Sequence, residues 1–218
     1  MRNLKSGWIL FCIGITPFLL NGFVTPAIYQ NFVLYWLFDL TIWILIPVTV
    51  FTALDRHANL HLHEFGLNSR IAKIESVTAV ALVSILIIPV LYVVYFLPFT
   101  LFSSDLISTP RFSYQQVLPE SQLARVLVAG YFGVTAGLVE ELLFKGLLFR
   151  LIKDLKAAHL IFVFTSSILF AAAHWESGAT NLYAAFVYGF VTSLIYLGLK
   201  NLWPLVVGHA ILDFIIYV

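Results

Sequence analysis

Seven runs of apolar residues succeed one another along the chain: Trp8 to Ile28, Phe32 to Leu54, Val77 to Phe102, Val126 to about Leu151, Leu160 to His174, Leu182 to Leu199 and Leu202 to Val218. In lipid every backbone N–H and C=O must be satisfied within the protein, so only helices and closed barrels can accommodate such runs. Their continuity, in place of the alternation of barrel strands, selects helices. The expected fold class is therefore all-α, a polytopic transmembrane helical bundle of about seven spans. Of the 218 residues, 61% are hydrophobic and 11% charged, whereas soluble domains carry about 25% charged residues. Prolines 17, 26, 47, 89 and 98 fall within or at the ends of the runs, where membrane helices bend rather than stop. No repeat, low-complexity stretch or linker divides the chain, so one membrane domain, 1–218, is expected. Residues 1–122 form its scaffold spans, and residues 123–218 form the helices that carry the site.

The net charge is +1, with no basic block or acidic tail, which gives no basis for nucleic-acid binding. The lone Cys12 has no internal disulfide partner. The first run is nearer to the ~20 residues of a span than to a signal core, and it is read as a span. Lys and Arg set the orientation. With the amino terminus inside, Arg2, Lys5, Arg56, Arg70, Lys73, Lys145, Arg150, Lys153, Lys156 and Lys200 share one face, while Arg111 and Arg125 fall opposite. A cytoplasmic amino terminus is expected, although a re-entrant segment between Glu176 and Asn181 would reverse the later spans.

Ionisable residues inside lipid cost roughly 2.5–3.5 kcal/mol each at a helix centre and so mark functional positions. Asp39, Glu140, Glu141, Lys145, His174, His209 and Asp213 are of this kind, and all but Asp39 follow residue 139. That clustering predicts one polar cavity in the carboxy-terminal half. Glu140 and Glu141 are adjacent and point about 100° apart on a helix. Lys145 stands four residues after Glu141, the favourable order for a helical ion pair, so Glu141 is expected to be neutralised and Glu140 left free for chemistry. His174 closes Phe170-Ala-Ala-Ala-His174, which puts Phe170 one turn back, where it can wall a pocket. Ala157 lies 17 positions from each of Glu140 (157 − 140) and His174 (174 − 157). A helical hairpin turning there brings the two to one level, about 25 Å below its tip at 1.5 Å per residue. His209 and Asp213 share a face of the last run, where Asp213 can fix the histidine tautomer or both can bind a metal. Asp39 is read as an interhelical hydrogen-bond partner. His57, His61 and His63 are read as a solvated loop.

At these positions the chain resembles the CAAX prenyl endopeptidase and bacteriocin-processing family of glutamate-type intramembrane proteases, once labelled abortive-infection proteins. The matching text is Glu140-Glu141-Leu-Leu-Phe-Lys145-Gly146, then Phe170-Ala-Ala-Ala-His174, then His209-Ala-Ile-Leu-Asp213 preceded by Leu202-Trp203-Pro204; Phe65-Gly66-Leu67 is a weaker echo. The resemblance covers residues 124 to 218. It implies that Glu140 and His174 activate a water, and that His209 and the Asp213 position stabilise the oxyanion, with Glu141, Lys145 and Phe170 in support. It also implies no cofactor, and a multi-pass protein of a prokaryotic cell membrane. Two positions depart from the family pattern. Lys145 stands where Arg is usual and lacks its bidentate fork. Asp213 stands where Asn is common, and an ionised carboxylate cannot donate to an oxyanion.

Hydrolysis of a membrane-embedded or lipidated peptide is the leading expectation, with the lipid bilayer as the other partner. A zinc variant would use Glu140, His174 and His209. A non-catalytic membrane binding or immunity protein that sequesters a peptide would keep the cavity for recognition alone. A proton-coupled transporter would need ionisable groups along both halves of a path, and the first three runs are almost bare.

Overall fold

A computed structural model describes residues 3–67, 76–101 and 111–218. Arg2, Arg70, Lys73 and Phe102 of the sequence reading lie outside the described residues. Seven helices follow the seven apolar runs: α1 Leu4–Ile28, α2 Phe32–Ala58, α3 Val77–Leu101, α4 Gln122–Ile152, α5 Ala158–Ala172, α6 Ala179–Leu199 and α7 Trp203–Tyr217. Five of them are long and apolar enough to cross a membrane, while α5 and α7 have 15 residues each. Fifteen residues extend about 22 Å, short of a hydrocarbon core of about 30 Å. The protein is a multi-pass, all-α integral membrane protein whose two short helices lie against longer ones. α7 packs on α4 and α3, and α5 packs on α6.

Pro17 and Pro26 sit inside α1, and Pro89 and Pro98 inside α3, without ending either helix. α3 turns Leu82, Ile85, Leu86 and Val93 outward, the side chains expected where lipid is the solvent. Asp39 in α2 accepts a hydrogen bond from the Tyr131 hydroxyl in α4 at 2.6 Å, the interhelical role expected of it.

The approach of α4 to α7 depends on two small residues. A methyl at Gly133 would lie 2.3 Å from the Ala210 carbonyl oxygen, and one at Gly137 would lie 2.7 Å from that of Val206. This small-xxx-small spacing brings the two backbones together. The next turn of α4 then delivers Glu140 against the face of α7 that carries His209 and Asp213.

At the opposite end, the short 3-10 turn Leu62–Phe65 and Gly66 tie the helix ends together. Gly66 has φ +97°, a left-handed conformation that glycine adopts without steric cost. Its carbonyl accepts from Leu202 N at 2.9 Å, the Phe65 carbonyl accepts from the Tyr196 hydroxyl at 3.2 Å, and the Leu67 carbonyl accepts from Trp203 Nε1 at 3.0 Å. Glu64 accepts from the buried Arg150 Nε at 2.8 Å. The Phe65-Gly66-Leu67 fragment is thus a backbone clamp on α6 and α7. His61, in the preceding loop, pairs with Asp55.

Candidate active site

Within α4 the backbone changes period. Gln122–Glu140 is α-helical, Glu141–Leu147 is a π-helix, and Leu148–Ile152 is α-helical again. An i→i+5 turn frees backbone groups of their usual partners, and such turns recur at functional sites. Here the Phe144 carbonyl accepts from the Ser166 hydroxyl of α5 at 2.8 Å. The altered period loosens the one-turn stacking of residues four apart, so the expected pair makes no direct hydrogen bond, although Lys145 remains the leading charge neighbour of Glu141. Lys145, fully buried, makes no hydrogen bond among the described residues and sets its ammonium 4.7 Å from the centre of the Phe170 ring. Glu141 instead turns to α7, where its Oε1 lies 3.0 Å from His209 Nδ1.

That bond corrects a second expectation. The carboxylate on His209 Nδ1, which fixes the tautomer, is Glu141 and not Asp213. Asp213 Oδ2 approaches the other ring nitrogen, Nε2, at 3.7 Å, and Glu140 Oε2 approaches the same nitrogen at 3.8 Å. The His209 ring is thus braced behind by Glu141 and faces two carboxylates in front. The adjacent acids divide their places: Glu140 lines the cavity, and Glu141 stands behind the imidazole.

His174 follows the end of α5. Its Nδ1 lies 2.7 Å from the Phe170 carbonyl oxygen. A carbonyl only accepts, so Nδ1 carries the proton and the neutral ring presents a lone pair at Nε2. That Nε2 stands 4.0 Å from Glu140 Oε1, the separation at which a bridging water should be considered. The Phe170 ring stacks on His174 with centroids 4.7 Å apart and lines the same cavity.

These groups surround a cavity of about 100 Å³ bordered by Glu140, Phe170, His174, His209 and Asp213. At about 30 Å³ per water in the liquid, it has room for more than one. The structure therefore brings together all four residues singled out in the sequence as catalytic. Lys145 and Glu141 pack behind the cavity.

The sequence reading missed several residues of the wall. Asn21 comes from α1, Trp43 from α2 and Tyr95 from α3, so the scaffold spans also close the cavity. Tyr95 donates to Asn181 Oδ1 at 2.7 Å, and Asn21 Nδ2 donates to the Tyr114 hydroxyl at 2.9 Å. Glu176, buried in the 3-10 turn Trp175–Ser177, is a further carboxylate on the wall. It lies just past an apolar run, where an acid reads as interfacial. Among the described residues, no three His, Cys, Asp or Glu side chains are placed to hold a metal ion.

Comparison with known proteins gives one family. Residues 122–215, from α4 to near the end of α7, match the model described as Type II CAAX prenyl endopeptidase Rce1-like. No curated protein and no solved structure matches the chain. The matched stretch contains Glu140, His174, His209 and Asp213, which the fold gathers around one cavity, and Glu141 behind it; over these residues the chain is similar to the Rce1-like CAAX endopeptidases.

Proposed function

We propose that the protein is an intramembrane endopeptidase that hydrolyses a peptide bond of a membrane-embedded or lipidated peptide with a water activated by Glu140 and His174. The observation that carries this reading is the Glu140 carboxylate set between two imidazoles of opposite character, 4.0 Å from His174 Nε2 and 3.8 Å from His209 Nε2.

A water seated about 2.8 Å from both Glu140 Oε1 and His174 Nε2 gives one proton to each acceptor and keeps its lone pairs for attack. When its oxygen bonds to the scissile carbonyl carbon, Glu140 takes the proton that leaves it. A positioned base of this kind contributes on the order of 10²–10⁴-fold. The carbonyl oxygen gains the negative charge, and His209 is suited to receive it. With Nδ1–H given to Glu141, a protonated His209 presents Nε2–H to the cavity, and the preorganised donor stabilises the oxyanion. Collapse of the intermediate breaks the C–N bond, and the proton on Glu140 passes to the leaving amine. Asp213, close to the same His209 nitrogen, favours the protonated ring. Asp213 in this reading acts through His209, so it need not donate to the oxyanion itself.

The reading is tested by comparing peptide termini in membranes that contain wild type or Glu140→Gln at equal abundance. New termini that depend on Glu140 are expected. Identical sets of termini would leave a binding protein as the better account.

A further inference from the structure

Carboxylates outnumber cations around the cavity. Among the described residues three carboxylates border it, Glu140, Glu176 and Asp213, against the two imidazoles of His174 and His209 and no Lys or Arg. Glu140 and Asp213 both face His209 Nε2 within 4 Å. Glu176 has no ion pair among the described residues. It is 4% exposed, and its Oε2 takes no hydrogen bond. Arg111, whose backbone N–H meets the Glu176 carbonyl, turns its guanidinium to aromatic rings, 4.8 Å from that of Trp175 and 5.7 Å from that of Phe23.

The turn that carries Glu176 is held firmly. Trp175 Nε1 donates to the Leu19 carbonyl at 3.0 Å, and Arg111 N donates to the Glu176 carbonyl at 2.8 Å. Gly22 makes room for this turn, since a methyl there would lie 2.6 Å from Glu176 Cβ. Beside the carboxylate, the cavity wall is completed by Asn21 and Tyr114. Within the protein the carboxylate has a bond from its own backbone N–H and the His174 ring as its charge neighbour, but no Lys or Arg among the described residues. A buried carboxylate without a full cation is costly, and such groups persist where they pair with something. Neither the water-activating pair nor the oxyanion site uses Glu176.

We propose that Glu176 is the recognition point for a cationic group of the substrate, an ammonium or guanidinium carried near the scissile bond and lodged at the end of the cavity walled by Asn21 and Tyr114. The proposal deepens the peptidase reading by naming the substrate class, a peptide with a basic side chain or free amine beside the cleaved bond. It makes Glu176 a determinant of specificity distinct from the hydrolytic groups.

Binding of dodecylguanidinium and of its neutral isostere dodecylurea, measured by tryptophan fluorescence in phosphatidylcholine nanodiscs, tests the assignment without relying on hydrolysis. Wild type is expected to prefer the guanidinium by about 10- to 100-fold, the worth of a charge-assisted hydrogen bond. Glu176→Gln should lose that preference, and Glu176→Asp should keep much of it. An unchanged preference in Glu176→Gln, or none in wild type, overturns the proposal. Thermal melting of each variant separates lost binding from lost folding. Should the preference follow Glu176 while no peptide is cleaved by any form, the recognition site stands and the peptidase reading falls.

Discussion

Replacement of Gly133 by Ala isolates the packing that places the two halves of the site. The added methyl would lie 2.3 Å from the Ala210 carbonyl oxygen, 3.2 Å from its carbon and 3.3 Å from Phe214 N. All three are backbone atoms, so no side chain can swing aside. Ordinary contact begins near 3.4 Å, so α7 must retreat by about 1 Å (3.4 − 2.3) or α4 must bend. His209 immediately precedes Ala210, and its Nε2 stands 3.8 Å from Glu140 Oε2. A displacement of about 1 Å in a catalytic geometry costs about 10²-fold in rate, and overpacking costs about 1–3 kcal/mol of stability. Gly130, one turn earlier on the same helix, has nothing within 4 Å of the equivalent methyl. Gly130→Ala should therefore keep wild-type activity and lose no stability. The assay is hydrolysis of a fluorescence-quenched peptide, built around a cleavage site found in the membrane, with thermal melting in the same detergent. If Gly133→Ala matched Gly130→Ala in both rate and melting temperature, the reasoning that α4–α7 contact sets the site would be refuted.

Glu141→Gln keeps an acceptor for His209 Nδ1–H but removes the charge that favours the protonated ring, so kcat should fall about 10²–10³-fold with little change in KM, the loss typical of an oxyanion donor; equal kcat would show that Glu141 does not support His209. Ser166→Ala leaves the Phe144 carbonyl of the π-turn without its 2.8 Å partner, and should destabilise the protein by about 1–3 kcal/mol, measured by thermal or denaturant unfolding. Tyr131→Phe deprives the buried Asp39 of its hydrogen bond and should cost about 1–3 kcal/mol of stability with activity per folded molecule unchanged. Treatment with EDTA or phenanthroline should leave hydrolysis intact, whereas loss of activity restored by zinc would transfer the water activation to a metal.

Much of the bundle was legible because lipid leaves the backbone so few options. The seven apolar runs became seven helices whose ends differ from the sequence reading by a few residues. Glu140 and His174 were matched in level by counting from Ala157, since helical rise is uniform enough for such counts. The hydrogen-bond partner of Glu141 was not legible. Pairing it with Lys145 assumed an α-helical period, and Glu141–Leu147 departs from that period. With the Lys145 ammonium set over Phe170, Glu141 hydrogen-bonds His209, and Asp213 approaches the other ring nitrogen. Asn21, Tyr95 and Tyr114 were missed because the contacts that bring them to the cavity span distant parts of the chain and leave no local spacing. Glu176 was missed for a different reason: an acid just outside an apolar run looks solvated until the fold buries it.

The central claim is that Glu140 activates the hydrolytic water within the membrane. It is tested most directly by the rate at which purified protein in liposomes cleaves such a quenched peptide, wild type against Glu140→Gln, with thermal melting confirming that both are folded. The account predicts a fall of about 10²-fold or more for the variant, with product termini that match those formed in the membrane. Cleavage by Glu140→Gln at the wild-type rate would contradict it.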